Sequence, residues 1–103
     1  MELRGMGASV GIVTGKVVFA RDVREARRVQ RGDILVTEMT SPEMMPALER
    51  AAGWVTALGG RTCHAAIVAR ELRKPAVVGV RDISMLANGV MVTVDGGAGV
   101  VTW

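Results

Sequence analysis

Short apolar runs rich in β-branched residues recur along the chain, and each is bounded by Gly, Pro, Asp or Asn. This pattern is typical of β-strands. It predicts strands at Lys16–Ala20, Ile34–Thr37, Trp54–Ala57, Ala76–Val80, Val90–Val94 and Val100–Trp103. Segments with helical character lie between them, at Arg24–Gln30, Pro42–Ala52 and Cys63–Leu72. Strands that alternate with helices favour an α/β domain in which at least part of the sheet is parallel.

Turn and cap signals refine these bounds. Ser41 is expected to cap the second helix, with Pro42 in its first turn. Pro46 either lies within the first turns of that helix or bends it. Asn88–Gly89 suits a left-handed stop, and Asp95–Gly97 predicts a closing hairpin. The opening glycines form a permissive entry segment for turns, close packing or a hinge; they are Gly5, Gly7, Gly11 and Gly15.

Composition narrows the class of protein. A chain of 103 residues predicts one domain, residues 1–103, and its core must be aliphatic because only three residues are aromatic. No apolar run is long enough to span a bilayer, and the first residues do not resemble a secretory signal, so we expect a soluble, cytoplasmic protein. One cysteine and one histidine exclude an internal disulfide and a closed zinc site, so no metal is expected in this domain.

The charge balance is basic, with 13 Lys and Arg against 10 Asp and Glu. On a helix, the side chains of Arg24, Arg27, Arg28 and Arg31 would share one face. We interpret this as a solvated helix face, and a phosphate-rich or nucleic-acid surface is the alternative. The basic segment lacks interleaved aromatic residues that would stack on bases, and we therefore expect no nucleic-acid partner. We also expect no membrane partner, because no apolar run is long enough to span a bilayer.

The segment that carries candidate chemistry is Gly59–Ile67, where a predicted strand runs through a glycine loop into a predicted helix. Glycines allow backbone N–H groups to converge, and the first turn of a helix adds unpaired N–H donors with partial positive charge. Arg61 adds a full charge, and the Thr62 hydroxyl either caps the helix or binds an oxyanion. His64, the sole histidine, begins the helix as a candidate nucleophile for a phosphoryl group.

Less specific interpretations of the same residues stay open. A lone histidine near a helix start is commonly a capping or packing residue. Cys63 is a competing nucleophile because a helix N-terminus favours its thiolate. However, adjacent helical residues point about 100° apart, so Cys63 and His64 are poorly placed as a nucleophile and base pair. The scattered carboxylates are interpreted as surface charges, caps or partner contacts; they are Glu38, Glu43, Glu71 and Asp82.

The stretch Gly59–Leu72, followed by Pro75–Gly79, resembles the mobile, or swivelling, phosphohistidine domain of phosphoenolpyruvate-utilising enzymes. Ser9–Gly15 and Gly32–Pro42 are similar to the same family, so the resemblance covers nearly the whole chain. Arg61, Cys63 and the Met39-Thr40 pair are most similar to phosphoenolpyruvate synthase. One departure is Arg73-Lys74, where the family usually has a glycine that ends the helix.

The resemblance implies a three-layer β/β/α domain with a mixed sheet, in which His64 is the exposed phosphoryl carrier. It implies a larger enzyme in which an ATP-binding domain phosphorylates the carrier and a barrel domain with Mg²⁺ passes the phosphoryl group to pyruvate. This domain itself is then expected to bind no cofactor and not to turn over alone. We expect Gly60, Arg61 and Thr62 to stabilise the phosphoryl group.

Other functions of the same fold remain open at this point. The chain could serve pyruvate phosphate dikinase or an antibiotic phosphotransferase, which differ in the final acceptor. It could also be a non-catalytic basic interaction module. Binding to DNA that is sensitive to salt and independent of His64 would favour that module.

Overall fold

The computed structural model describes residues 1–103 and contains eight strands. They are β1 (Glu2–Arg4), β2 (Met6–Ser9), β3 (Ile12–Ala20), β4 (Ile34–Thr37), β5 (Gly53–Thr56), β6 (Ala76–Val78), β7 (Met91–Asp95) and β8 (Val100–Thr102). The helices are α1 (Val23–Ala26), α2 (Met45–Arg50) and α3 (His64–Leu72), with 3-10 turns at Pro42–Met44 and Ile83–Met85.

The long strand β3 belongs to two sheets. Its first part, Ile12–Lys16, pairs antiparallel with β7, and its second part, Val17–Ala20, pairs parallel with β4. The full strand order is β1-β8-β7-β3-β4-β5-β6-β2. The sheet β1-β8-β7-β3 is therefore antiparallel, whereas β3-β4-β5-β6-β2 is mixed, with β2 antiparallel at its edge.

Alternating side chains of the mixed sheet build two separate cores. Leu35 and Trp54 are fully buried in the core that faces the three helices. Their neighbours Ile34, Val36 and Val55 are fully buried in a second core that faces the antiparallel sheet. Because successive side chains of a strand point to opposite faces, the mixed sheet is the middle layer of three. The predicted three-layer β/β/α fold with a mixed sheet is confirmed.

All six predicted strands are present: β4 has the predicted bounds and the other five have shifted ends. The largest shift is at β3, which begins four residues earlier than predicted, at Ile12. The strands β1 and β2 were not predicted. Both lie in the glycine-rich entry segment. Gly7 allows β2 to pack closely against the loop at Gly96, because a Cβ at position 7 would collide with the carbonyl oxygen of Gly96. The predicted hairpin between β7 and β8 is confirmed, and the Asp95 carboxylate accepts hydrogen bonds from Gly97 N and Ala98 N in its loop.

The first predicted helix, Arg24–Gln30, is wrong in length. Helix α1 ends at Ala26, and the chain continues to Val29 through i to i−3 hydrogen bonds that tighten the coil. The predicted arginine face is therefore not a regular helix face. Part of the basic segment is committed to internal contacts, since Arg28 Nη2 donates to the Phe19 carbonyl oxygen at 3.1 Å.

The predicted capping role of Ser41 is also wrong. Its side chain makes no cap hydrogen bond, and its buried Oγ has no hydrogen-bond partner. Instead, Met44 N donates to the backbone oxygen of Ser41, which closes the 3-10 turn that Pro42 begins. Pro46 lies in the first turn of α2. Backbone N–H groups in the first turn of a helix have no acceptor within the helix, so the missing N–H of proline costs no hydrogen bond there.

The Arg73-Lys74 departure produces an unusual helix end. Arg73 occupies the left-handed conformation at the end of α3, with φ 56° and ψ 45°, although it is not a glycine. The Lys74 ammonium donates to the carbonyl oxygens of Leu48, Glu49 and Ala51, at 3.1, 2.6 and 2.6 Å. Lys74 therefore caps the carboxyl end of α2 and joins it to the end of α3.

Replacing Arg73 by glycine should stabilise the chain by about 0.5–1 kcal/mol. The gain from removing the strain of a left-handed non-glycine residue exceeds the greater entropy of an unfolded glycine. Urea unfolding followed by circular dichroism would measure it. Arg73→Ala is the matched control, because it removes the guanidinium but keeps the Cβ. A glycine variant no more stable than the alanine variant would contradict the strain argument.

The ionised Glu25 carboxylate should stabilise the folded chain, and this stabilisation should be lost in acid. Hydrogen bonds and attraction from Arg21 lower the pKa of the Glu25 carboxyl from its usual 4.5 to about 2. A lowered pKa means that this stabilisation is complete above about pH 4.5 and is lost as the pH falls towards 2. Urea midpoints of the wild type and Glu25→Gln should therefore converge across that range. A constant difference between the two proteins would contradict this assignment.

Candidate functional site

The candidate site lies where the parallel strands β4 and β5 end. Thr37 and Thr56 are buried register partners at these ends. Each hydroxyl donates to a carbonyl oxygen two residues further on: Thr37 Oγ1 to Met39 O at 3.4 Å and Thr56 Oγ1 to Leu58 O at 2.7 Å. The two strands thus enter their loops side by side. The carboxyl ends of parallel strands are the edge at which α/β proteins usually bind ligands.

Gly59 shapes the second loop. Its φ is +124°, and a Cβ at this position would lie 2.7 Å from the Cys63 sulfur. Cys63 occupies the cap position before α3, makes no side-chain cap bond, and packs against the helical core. This placement agrees with the packing interpretation of Cys63.

His64 is the first residue of α3 and is fixed from a different loop. Its Nδ1 lies 2.7 Å from the hydroxyl oxygen of Thr40, which is only 6% exposed. The next residue is also held, because the buried Trp54 donates from Nε1 to the Ala65 carbonyl oxygen at 3.1 Å. The histidine ring is therefore oriented through one nitrogen, and no protein atom bonds the other nitrogen, Nε2.

A cleft of about 200 Å³ opens beside the ring. It is lined by Met39, Thr40, Leu58, Gly59, Cys63, His64 and Ala65. Met39 and Leu58 are exposed apolar side chains on its rim, at 59% and 51%. His64 is partly exposed, which is less open than the resemblance implied, but the cleft gives its ring access to solvent.

The three predicted phosphate-stabilising residues precede His64 in the same loop but do not line this cleft. Arg61 and Thr62 are exposed, and their side chains make no hydrogen bond or ion pair. Gly60 has open space where a Cβ would stand. The role of these three residues in stabilising a phosphoryl group stays a prediction.

The start of α3 also offers backbone donors. The N–H groups of His64, Ala65 and Ala66 make no hydrogen bond within the protein. Unpaired N–H groups in the first turn of a helix attract anions through their partial positive charge. The site therefore combines an oriented imidazole with donors suited to a negatively charged group.

Thr40 is the site residue that sequence reasoning missed. It is 24 positions from His64, so no helical or strand period connects the two residues. The available signal was topological, because the segments around Thr40 and His64 both follow the carboxyl ends of predicted strands. Had those strands been paired as parallel neighbours, the two segments would have been predicted to meet.

The three-layer β/β/α fold with its mixed sheet is that of a class of mobile domains, and comparison with known proteins agrees. The family described as "PEP-utilising enzyme, mobile domain" matches residues 29–99. The chain belongs to this family.

Relatives place the chain more closely within the family. It is 55% identical over 100 residues to the phosphoenolpyruvate synthase of Pyrococcus furiosus and to a probable phosphoenolpyruvate synthase of Archaeoglobus fulgidus. These matches cover 96% of this chain but only 12% and 13% of the two relatives. A solution structure of Enzyme I is 33% identical, with a TM-score of 0.63, over 74% of this chain and 32% of that chain.

The structure contains neither a metal-ligating cluster nor a membrane-spanning helix. No group of three or more His, Cys, Asp or Glu side chains is arranged to hold a metal ion. None of the helices has the length and hydrophobicity needed to cross a bilayer.

Proposed function

We propose that this chain is the phosphoryl-carrier domain of a phosphoenolpyruvate synthase, in which His64 accepts a phosphoryl group and delivers it elsewhere. The observation that carries the proposal is the 2.7 Å contact between Thr40 Oγ1 and His64 Nδ1, beside an open cleft. It fixes the ring and leaves Nε2 available. The 55% identity to a phosphoenolpyruvate synthase supports this particular enzyme within the family.

The chemistry follows from the tautomer. With the proton on Nδ1 donated to Thr40 Oγ1, the lone pair lies on Nε2. This lone pair attacks phosphorus, an N–P bond forms, and the bond between phosphorus and the donor's oxygen breaks with its electron pair leaving on that oxygen. In the second transfer an acceptor oxygen attacks phosphorus and the N–P bond breaks, which returns the lone pair to Nε2. The proton stays on Nδ1 throughout, and Thr40 Oγ1 accepts its hydrogen bond.

The loop and helix start would stabilise the transferring group. The oxygens of a phosphoryl group carry negative charge in the transition state, so nearby donors lower the barrier. The unpaired N–H groups of His64, Ala65 and Ala66 are candidate backbone donors, and we assign Gly60, Arg61 and Thr62 a supporting role in the preceding loop.

The donor and acceptor belong to partner domains in this proposal. An ATP-binding domain phosphorylates His64, and a barrel domain with Mg²⁺ exchanges the group with phosphoenolpyruvate and pyruvate. The summed reaction converts ATP, pyruvate and water into AMP, phosphoenolpyruvate and phosphate, in the cytoplasm. The chain spans about an eighth of its relatives, which leaves them ample length for such domains.

The test is phosphorylation of this chain in trans. The chain is incubated with radiolabelled phosphoenolpyruvate, Mg²⁺ and an active barrel domain from a phosphoenolpyruvate synthase. We expect label that is stable in base and labile in acid, and NMR of the imidazole should place the phosphoryl group on Nε2 of His64. Without the barrel domain we expect no label.

Cys63→Ser is the matched control for the competing nucleophile. It keeps the size of the side chain and should be labelled to the same extent as the wild type. Label that disappears in Cys63→Ser, or an unlabelled wild-type chain beside an active barrel domain, would overturn the proposal.

A further inference from the structure

A second cleft, of about 480 Å³, lies at the opposite end of α3 from His64. Its lining includes Gly7, Ser9, Arg70, Arg73 and Gly96. The lining contains two arginines and no carboxylate. Arg70 lies six positions after His64, so a rise of about 1.5 Å per residue separates this side of the cleft from the histidine by about 9 Å along the helix.

Arg70 presents a guanidinium that is already fixed. Its Nε donates to the carbonyl oxygen of Ala8 at 2.9 Å, while its two terminal nitrogens make no hydrogen bond or ion pair. A guanidinium held at one edge loses less side-chain entropy when its free edge binds a ligand. Its planar pair of donors matches the oxygens of a phosphate group.

Arg73 adds a second guanidinium under backbone strain. It is the helix-end residue with φ 56°, its side chain has no hydrogen-bond or ion-pair partner, and it lines the cleft. Glycine would adopt this conformation without strain. A strained residue with an unpartnered charged side chain at a cleft is the kind of outlier from which function is inferred.

Ser9 provides an unpaired polar group between them. Ser9 is 9% exposed and lines the cleft, and its hydroxyl makes no hydrogen bond within the protein. This hydroxyl is not sealed from solvent, so it is available to donate a hydrogen bond to a ligand oxygen. The nearby carboxylate of Asp95 opposes an anion, but it accepts two backbone N–H bonds from its own loop.

We propose that this cleft is a binding site for a phosphate-type dianion, separate from the phosphoryl-transfer site. Arg70 and Arg73 supply the charge, and the Ser9 hydroxyl supplies a directional hydrogen bond. The inference does not depend on the proposed function of His64, because no residue is shared between the two sites.

The test is an NMR titration of the ¹⁵N-labelled chain with inorganic phosphate at constant ionic strength. We expect saturable shifts in the amides of Gly7, Ser9 and Gly96 and in Arg70 Nε. Acetate at the same ionic strength should give no saturable shift at these groups. Equal saturation by acetate would overturn the assignment to a phosphate-type dianion, and shifts that stay linear with phosphate would overturn the site.

Variants locate the site and separate it from charge effects. Arg73→Gly, which should be more stable than the wild type, should raise the phosphate Kd about tenfold, since a charge-assisted hydrogen bond is lost. Arg81→Gln removes the same charge from an exposed position outside the cleft and should leave Kd unchanged. Equal weakening in both variants would overturn the site. His64→Ala should keep phosphate binding, so failure at one site is distinguishable from failure at the other.

Discussion

Replacing Thr40 by valine should lower the rate of phosphoryl transfer to His64 by roughly a hundredfold, because the ring loses the partner that orients it. Valine preserves the volume of the buried side chain but removes the oxygen that lies 2.7 Å from Nδ1. The Nδ1 proton then has no acceptor, and the preference for the tautomer with a free Nε2 is lost. The measurement is the rate of labelling from phosphoenolpyruvate with the barrel domain in trans.

Two further variants make this result specific to positioning. Thr40→Ser keeps the hydroxyl and should restore most of the rate, whereas His64→Ala defines the unlabelled baseline. In Thr40→Val, NMR should also detect some phosphoryl group on Nδ1, an outcome that lowered stability alone would not produce. A Thr40→Val chain that transfers at the wild-type rate, only onto Nε2, would show that Thr40 does not position the ring.

Replacing Trp54 by alanine should lower the free energy of unfolding by about 3–5 kcal/mol. Trp54 is fully buried in the helical core, and its indole N–H bonds the first turn of α3. The substitution leaves a large cavity and also leaves the Ala65 carbonyl oxygen without this donor. Since domains of this size unfold with about 5–15 kcal/mol, the variant should be close to unfolding at moderate temperature.

Trp103→Ala is the matched control, since this second tryptophan is only partly buried and lies just beyond β8. Urea unfolding followed by far-ultraviolet circular dichroism would compare the two variants without relying on tryptophan fluorescence. The loss for Trp103→Ala should be much smaller. Similar losses in the two variants would mean that burial in the helical core is not what makes Trp54 important.

The sequence pattern predicted those strands whose apolar residues are consecutive. Ile34–Thr37 was predicted to the residue, because a strand buried on both faces reads as an unbroken apolar run. The edge strands β1 and β2 have no such run. Gly7 serves β2 by allowing close approach to a distant loop at Gly96, and that requirement has no local signature.

The candidate site was predictable only in its local part. His64 and its glycine loop are contiguous, so their arrangement at a helix start follows from sequence order. Thr40 reaches His64 through the parallel pairing of β4 and β5, which is a long-range property. The failed cap at Ser41 has the opposite cause, because a favourable local signal was overridden when the chain entered a 3-10 turn through its backbone.

The double membership of β3 has a mechanical consequence. Between Lys16 and Val17 a single peptide bond carries the chain from one sheet pairing to the other, so the two sheets are joined covalently as well as by side-chain packing. A force applied to the antiparallel sheet is therefore transmitted through β3 to the mixed sheet, against which α3 packs. Sliding of the two sheets past each other would require breaking pairs of β3, so we expect both sheets, α3 and His64 to behave as one rigid body.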